Sequence, residues 1–272
     1  MRRHLVLLLA YFAQYAKVRV SYRADFLIGL ATSLAATVFA LGFVLVLFSR
    51  VPQLAGWRFE QVLFLYGFSL VPFGLFNVLS MNLYDFGNNY IIEGKFDRVL
   101  LRPVGALFQV LFETFRIESL HEAALGLLVV AWASRRLGIH WTAAEILLLV
   151  GFSLCGGVIY VSVFLILSTV SFWFEDRIGI HPPAWNLLAF GRYPLSIYSS
   201  FIQFLLSWII PFGFATFYPS VRLLASAGPG GAWAGAAFTR YAPLVPVVAA
   251  AVLGLAMLVW SQGVRRYSST GT

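Results

Sequence analysis

Charge is scarce in this chain: 19 Lys/Arg and 11 Asp/Glu make up 11% of its 272 residues, where a soluble domain carries about 25%. So few charges cannot clothe a water-soluble body of this length. Cysteine is scarcer still. Cys155 stands alone, which excludes an internal disulfide and the paired-cysteine zinc motifs. The phosphate-cradling loop G-x-x-x-x-G-K-[ST] is missing: the Gly-Lys pair at Gly94-Lys95 is followed by Phe96 and has Asn89 where the first glycine belongs. No G-x-S-x-G elbow and no H-E-x-x-H pair occurs, so the familiar hydrolase signatures are absent too. The chain is not expected to be an enzyme, nor to hold a metal or cofactor of its own.

What is present is apolar. Hydrophobic residues make up 60% and aromatic residues 17%, with a mean hydropathy of +0.84, so the expected fold is an all-α integral membrane protein in a single transmembrane domain. A helix needs about 20 mostly apolar residues to cross the hydrocarbon core. Stretches of that kind predict spans at about 26–48, 62–84, 146–174, 193–218 and 241–264. A sixth, 117–134, begins at the interface because Glu118, His121 and Glu122 fall in its first turns. The uncharged run 178–191 is too short to cross and holds Pro182-Pro183, so it reads as interfacial. At the start, Tyr11, Tyr15, Val18, Tyr22 and Phe26 form an aromatic stripe beside polar Gln14, Lys17, Ser21 and Asp25. Residues 1–25 therefore read as a retained helix lying in the interface rather than as a cleaved signal, since no good A-x-A site follows.

Six spans place both termini on one side. That side collects Arg2, Arg3, Lys17, Arg19, Arg23, Lys95, Arg98, Arg102, Arg116, Arg177, Arg192, Arg265 and Arg266. The other holds Arg50, Arg58, Arg135, Arg136, Arg222 and Arg240. The positive-inside rule then puts the termini in the cytoplasm. The net charge of +8 faces anionic membrane lipid, and nucleic acid need not be invoked.

Two spans share a short pattern, "LVPFGLF" (70–76) and "IIPFGF" (209–214). Proline deletes a backbone hydrogen bond and glycine loosens the next turn, so Pro72 with Gly74 and Pro211 with Gly213 are expected kinks that could line or gate a path. Between the last two spans, Pro219 to Pro243 carries a Gly-Pro-Gly-Gly core; a half-inserted hairpin and a plain loop both fit it. The Glu118-His121-Glu122 group has an E-x-x-H spacing, but the other spans supply no matching acids or histidine, so interfacial solvation or a bond to Arg116 is the expected role. "FWFEDRIGI" (172–180) is a second compact charge cluster, read as an anchor or a further docking surface.

The longest loop on the terminal side, 85–116, mixes both signs of charge: Asp85, Glu93, Asp97 and Glu113 against Lys95, Arg98, Arg102 and Arg116. Lipid anchoring needs only the basic ones, so the mixture favours a protein partner. Phe96, Val99 and Leu100 lie at helical spacing, and Arg102-Pro103 ends the run. A short amphipathic helix parallel to the membrane is expected.

With an amino-terminal interfacial helix, six spans and "EGKFDRVLLRP" (93–103) between spans two and three, the chain resembles the membrane subunits of ABC-2-type exporters, particularly the branch with a G-x-x-D-x-x-L-x-R-P loop. "GRYPLSIY" (191–198) and "IIPFGFATFYP" (209–219) are similar to that branch's fifth-span region. The resemblance implies one permease half of an ATP-driven exporter in a bacterial plasma membrane, paired with a second copy or a sister permease. ATP and Mg would be bound by a separate ABC-type ATPase docked on the cytoplasmic face. It also implies that the coupling helix carries Glu93, Gly94, Lys95, Phe96, Asp97, Arg98, Arg102 and Pro103, that spans two and five line the route, and that residues 219–240 correspond to a hairpin before the last span. An ATP-independent channel or scaffold is the competing reading, and a membrane-embedded lipid-modifying enzyme a remoter one.

Overall fold

A computed structural model describes residues 13–15, 17, 22–174, 181–225 and 235–268. The stripe expected over 1–25 and the Glu175-Asp176-Arg177 cluster fall largely or wholly outside these residues. So does the Gly-Pro-Gly-Gly core.

Among the described residues the fold is all-helical, with five helical stretches long and apolar enough to cross a membrane. Helix α1 (Arg23–Arg50) stands at the rim, and only 11% of its most apolar stretch is buried within the chain. Phe39 and Phe43 point outward at 80% and 59% exposure, as suits side chains solvated by lipid tails. Helix α2 (Phe59–Tyr84) is the centre of the molecule. It packs along its length on α5 (Leu120–Leu137) and α6 (Ala143–Thr169), and α6 packs in turn on α12 (Val245–Arg266). Between these lie α3 (Lys95–Leu101), α4 (Ala106–Phe112), α7 (Ser171–Phe174) and α8 (His181–Leu187). Helices α9 (Ser200–Phe204), α10 (Phe212–Ala215) and α11 (Phe217–Ala225) precede α12.

Lipid tails are as apolar as leucine, so close packing rather than water exclusion holds such helices together. The α2/α5 contact shows how. A Cβ on Gly126 would lie 2.5 Å from the Gly67 carbonyl oxygen, and one on Gly74 would lie 2.7 Å from the Ala123 nitrogen. Gly74 thus serves close approach, and α2 runs through Pro72 without interruption. Glu145 closes a capping box with Thr142 at the start of α6.

The fifth span expected over 193–218 differs most. Trp185 of α8 packs on Tyr84, Phe76 and Phe73 of α2, with ring centroids 5.8, 6.0 and 5.8 Å apart. The Arg192 guanidinium then lies over Phe73 and Tyr66, and the Ser196 hydroxyl accepts the Trp57 indole N–H at 2.8 Å. These partners advance from the Asp85 end of α2 to the loop that precedes it. Residues 181–197 therefore traverse the bundle as a chain of short helices, and the part of 178–191 that is described belongs to that crossing rather than to an interface. Pro182-Pro183 occupy the first turn of α8, where a missing N–H costs nothing. Arg192, assigned from sequence to the terminal side, sits inside.

Residues 198–225 then form a hairpin entering from the Trp57 end. Helix α9 passes through a π-helical stretch, Leu205–Ile209, and breaks where Ile210 turns extended (φ −119°, ψ 89°) ahead of Pro211, as a residue before proline must. Phe212 reaches Tyr160 of α6 at 5.2 Å, while Phe217 is back beside Trp57 at 5.9 Å. The proline deletes the bond that would have continued the helix, so its tip sits within the bundle.

Candidate functional site

At the Asp85 end, α2 passes into a π-helical turn, Gly87–Ile92, which directs Phe86, Tyr90 and Ile91 inward, all buried. Gly94 follows at φ 68°, a left-handed conformation that glycine adopts without steric cost. This reversal launches α3. Its two turns end at Arg102, extended at φ −83°, ψ 139° under the demand of Pro103.

A helix of seven residues is not stable in isolation, and four contacts keep α3 seated. Phe96 is fully buried, with its ring against Tyr267 (4.9 Å), Phe172 (5.2 Å), Phe86 (5.9 Å) and Trp260 (6.1 Å). Val99 is buried beside it. Asp97 accepts the Tyr267 hydroxyl at 3.0 Å. Gln109, buried within α4, donates from Nε2 to the Val99 and Val104 carbonyls at 2.9 and 2.8 Å, capping α3 at its C-terminus. Burial first, then the hydrogen bond to Asp97 and its charge, push the Tyr267 phenol up to about 12. Burial and then Glu113, which accepts the Tyr90 hydroxyl, likewise raise the Tyr90 phenol.

The sequence-derived site residues divide into two groups. Phe96 and Asp97 face the body. Glu93, Lys95, Arg98, Arg102 and Pro103 are exposed, Glu93 and Lys95 pairing at 2.7 Å. The expected apolar stripe of Phe96, Val99 and Leu100 is split: Leu100 is 47% exposed and joins Leu101 at 84%. The outward surface of α3 is thus two leucines flanked by arginines. Sequence reading did not single out Gln109, Tyr267 or Trp260, and took in Phe172 only as the first residue of the 172–180 charge cluster. The signal for Gln109 was a lone amide in the apolar run "ALFQVLF".

Pro72, Gly74, Pro211 and Gly213 lie in the buried interior, away from α3. The two similar motifs meet across α6. A Cβ on Gly156 would lie 2.6 Å from the Ala215 carbonyl oxygen and 2.8 Å from Pro72 Cβ, and one turn on, Tyr160 packs against both motif phenylalanines, Phe73 at 6.5 Å and Phe212 at 5.2 Å. Of the Glu118 group, Glu118 lies 3.8 Å from Arg116 and Glu122 accepts Asn77 Nδ2 at 2.8 Å between α5 and α2. Among the described residues no three His, Cys, Asp or Glu side chains are placed to hold a metal ion.

A family model described as ABC-2 family transporter protein matches residues 34–271. Comparison with curated proteins and with solved structures found no match.

Proposed function

The chain belongs to the ABC-2 family of transporter proteins, and from that premise, which makes it a multi-pass permease component of an ABC exporter working with an ABC-type ATPase, we propose that α3 is the helix through which ATP-driven closure of that ATPase reaches the permease. The observation that carries this reading is the seat of Phe96. One side chain on a short exposed helix touches Phe86 at the end of α2, Phe172 beyond α6, and Trp260 and Tyr267 of α12 and its end. A push on α3 therefore bears on three membrane-crossing helices at once. Leu100, Leu101, Arg98 and Arg102 offer a partner the mixed apolar and cationic surface that a protein cleft recognises.

In this reading ATP and Mg are bound by the ATPase, and two permeases, identical or sister, pair in a bacterial plasma membrane with both termini in the cytoplasm. The excess of Lys/Arg on the terminal side supports that orientation. Closure of two docked ATPases shifts the population between inward- and outward-facing states only through differential contact energy at α3.

The test is co-expression with candidate ABC-type ATPases and capture through the permease. Retention of one ATPase by the wild type, its loss in Leu101→Glu with Arg98→Glu, and loss of ATP-dependent transport together are the expected result. Retention of none, with transport that persists without ATP, would make the chain a channel or scaffold.

A further inference from the structure

Arg192 is a cation where a membrane protein seldom keeps one. Its guanidinium lies 5.0 Å from the centre of the Phe73 ring and 5.8 Å from that of Tyr66, positions about 21 and 10 Å along α2 from Phe59 at 1.5 Å per residue. The helix is 26 residues long, so the charge sits well inside the bundle. Ionisable groups at such depth are costly and are kept where they pair or serve a path.

Pairing does not account for it. Among the described residues no carboxylate lies within 4.0 Å of Arg192. Among the described residues its hydrogen bond runs from Nη1 to the Tyr66 hydroxyl at 3.3 Å, and most of the five N–H donors of a guanidinium have no partner there. Glu122 feels the Arg192 charge, but its carboxylate is engaged by Asn77 and stands beyond ion-pair reach. The side chain is partly exposed, so a ligand can approach.

The backbone around it is built rather than loose. A 3₁₀ turn, Leu188–Arg192, gives way to extended Tyr193 (φ −120°, ψ 159°), and the Thr216 hydroxyl pins the Gly191 carbonyl at 2.7 Å. Irregular backbone inside a membrane is tolerated where protein buries it or where it lines a polar space, and broken helices at mid-depth are where transporters place their binding groups. Tyr193 packs edge-on to Tyr66 at 6.3 Å, bringing a second phenol beside the guanidinium. Trp185, half-buried and 5.8 Å from the buried Phe73 ring, supplies an apolar wall next to it.

We propose that Arg192, oriented by the buried Tyr66 hydroxyl and joined by the Tyr193 phenol, binds the anionic head of an amphiphile whose apolar part lies along Trp185. A carboxylate, sulfate or phosphate monoester suits the planar fork of the guanidinium. That the amphiphile is cargo rests on the permease reading; the binding itself does not, and no ATPase is needed to measure it.

The experiment is equilibrium binding of radiolabelled dodecyl phosphate to the full chain in phosphatidylcholine nanodiscs, with empty discs subtracted. One saturable site per chain is expected, weakened at least tenfold in Arg192→Gln, less in Arg192→Lys, and a few-fold in Tyr66→Phe. Arg136→Gln, a cation over Trp132 at the end of α5, should leave affinity unchanged. Unlabelled dodecyl phosphate should compete, and inorganic phosphate and dodecyltrimethylammonium should not. Should Arg192→Gln fail to yield folded protein, the Lys and Tyr66→Phe variants decide. Absence of a saturable site, equal affinity in the Arg192 variants, or displacement by inorganic phosphate at the same concentration as the amphiphile would each overturn the proposal. Unchanged ATPase capture in the α3 variants, or none by the wild type, with this site intact would locate a failure in the docking reading instead.

Discussion

Replacing Phe96 by alanine tests whether the aromatic seat holds α3. The ring is fully buried and touches four others. Phe→Ala in a packed core costs about 3–5 kcal/mol, and edge-to-face pairs of this kind add about 0.5–1.5 kcal/mol each beyond area. The loss should fall locally, because the long helices that form the box pack on one another elsewhere, whereas seven residues have no stability of their own. Taking the lower bound of about 3 kcal/mol, opening of α3 should rise about 100-fold, at tenfold per 1.4 kcal/mol. Amide hydrogen exchange of purified permease reads this directly: protection over 95–101 should collapse in Phe96→Ala while the α2 and α6 cores hold. Leu101→Ala, at an 84% exposed position, should leave that protection intact yet reduce ATPase capture. Protection over 95–101 within twofold of wild type in Phe96→Ala would refute the seat, and with it the route from α3 to the spans.

Removing the Tyr267 hydroxyl in Tyr267→Phe should cost about 1.5–3 kcal/mol, the range for a hydrogen bond to a charged group, visible as faster exchange in α3. Because the seated phenol titrates near 12 against an ordinary 10, its contribution is complete below pH 10 and is lost as pH rises through 12; exchange in Tyr267→Phe should therefore lack the alkaline step seen in wild type. Gln109→Leu strands the Val99 and Val104 carbonyls, a loss of about 1–3 kcal/mol, and limited proteolysis should find 102–105 newly accessible. Gly156→Ala drives a Cβ against backbone at 2.6 Å and should destabilise by about 1–3 kcal/mol in thermal unfolding. Gly151→Ala, with open space around it, should be neutral in the same measurement.

Composition announced the membrane, and apolar runs announced α1, α2, α5, α6 and α12, because the bilayer demands a length that a residue count detects. α3 was legible too, through helical spacing, a proline stop and mixed charge. Its partners were not: Phe172, Trp260 and Tyr267 lie in ordinary apolar or terminal sequence, and only folding brings them to Phe96. The fifth crossing was misplaced for a related reason. Hydropathy registers how apolar a segment is, and both 181–197 and 198–225 are apolar; which one traverses and which returns depends on Pro211 and on contacts with Trp57, Tyr160 and Tyr84 that have no local signature. Arg192 followed the same error, since a charge beside an assumed interface reads as an anchor.

The site at α3 and the paired proline-glycine motifs share one element, α6. At its Asp85 end it runs into α7, where Phe172 touches Phe96 and presses on Gly263 of α12, whose Cβ would lie 2.5 Å from the Phe172 ring. At mid-depth the same helix holds Gly156 between Pro72 and Ala215 and Tyr160 between Phe73 and Phe212. From Tyr160 to Thr169 is about 14 Å of unbroken α-helix at 1.5 Å per residue, too short and too well packed to absorb a push by bending. A Cβ on Gly156 would lie only 2.6 Å from the Ala215 carbonyl oxygen and 2.8 Å from Pro72 Cβ, so the packing there has no room for even a methyl group and a tilt of α6 has to carry α2 or the Pro211 hairpin with it. Adjacency alone is not coupling. A double-mutant cycle between Phe172→Leu and Gly156→Ala on ATP-dependent transport should give a non-additive term if α6 carries the motion, and strict additivity would mean that α3 acts through α2 or α12 instead.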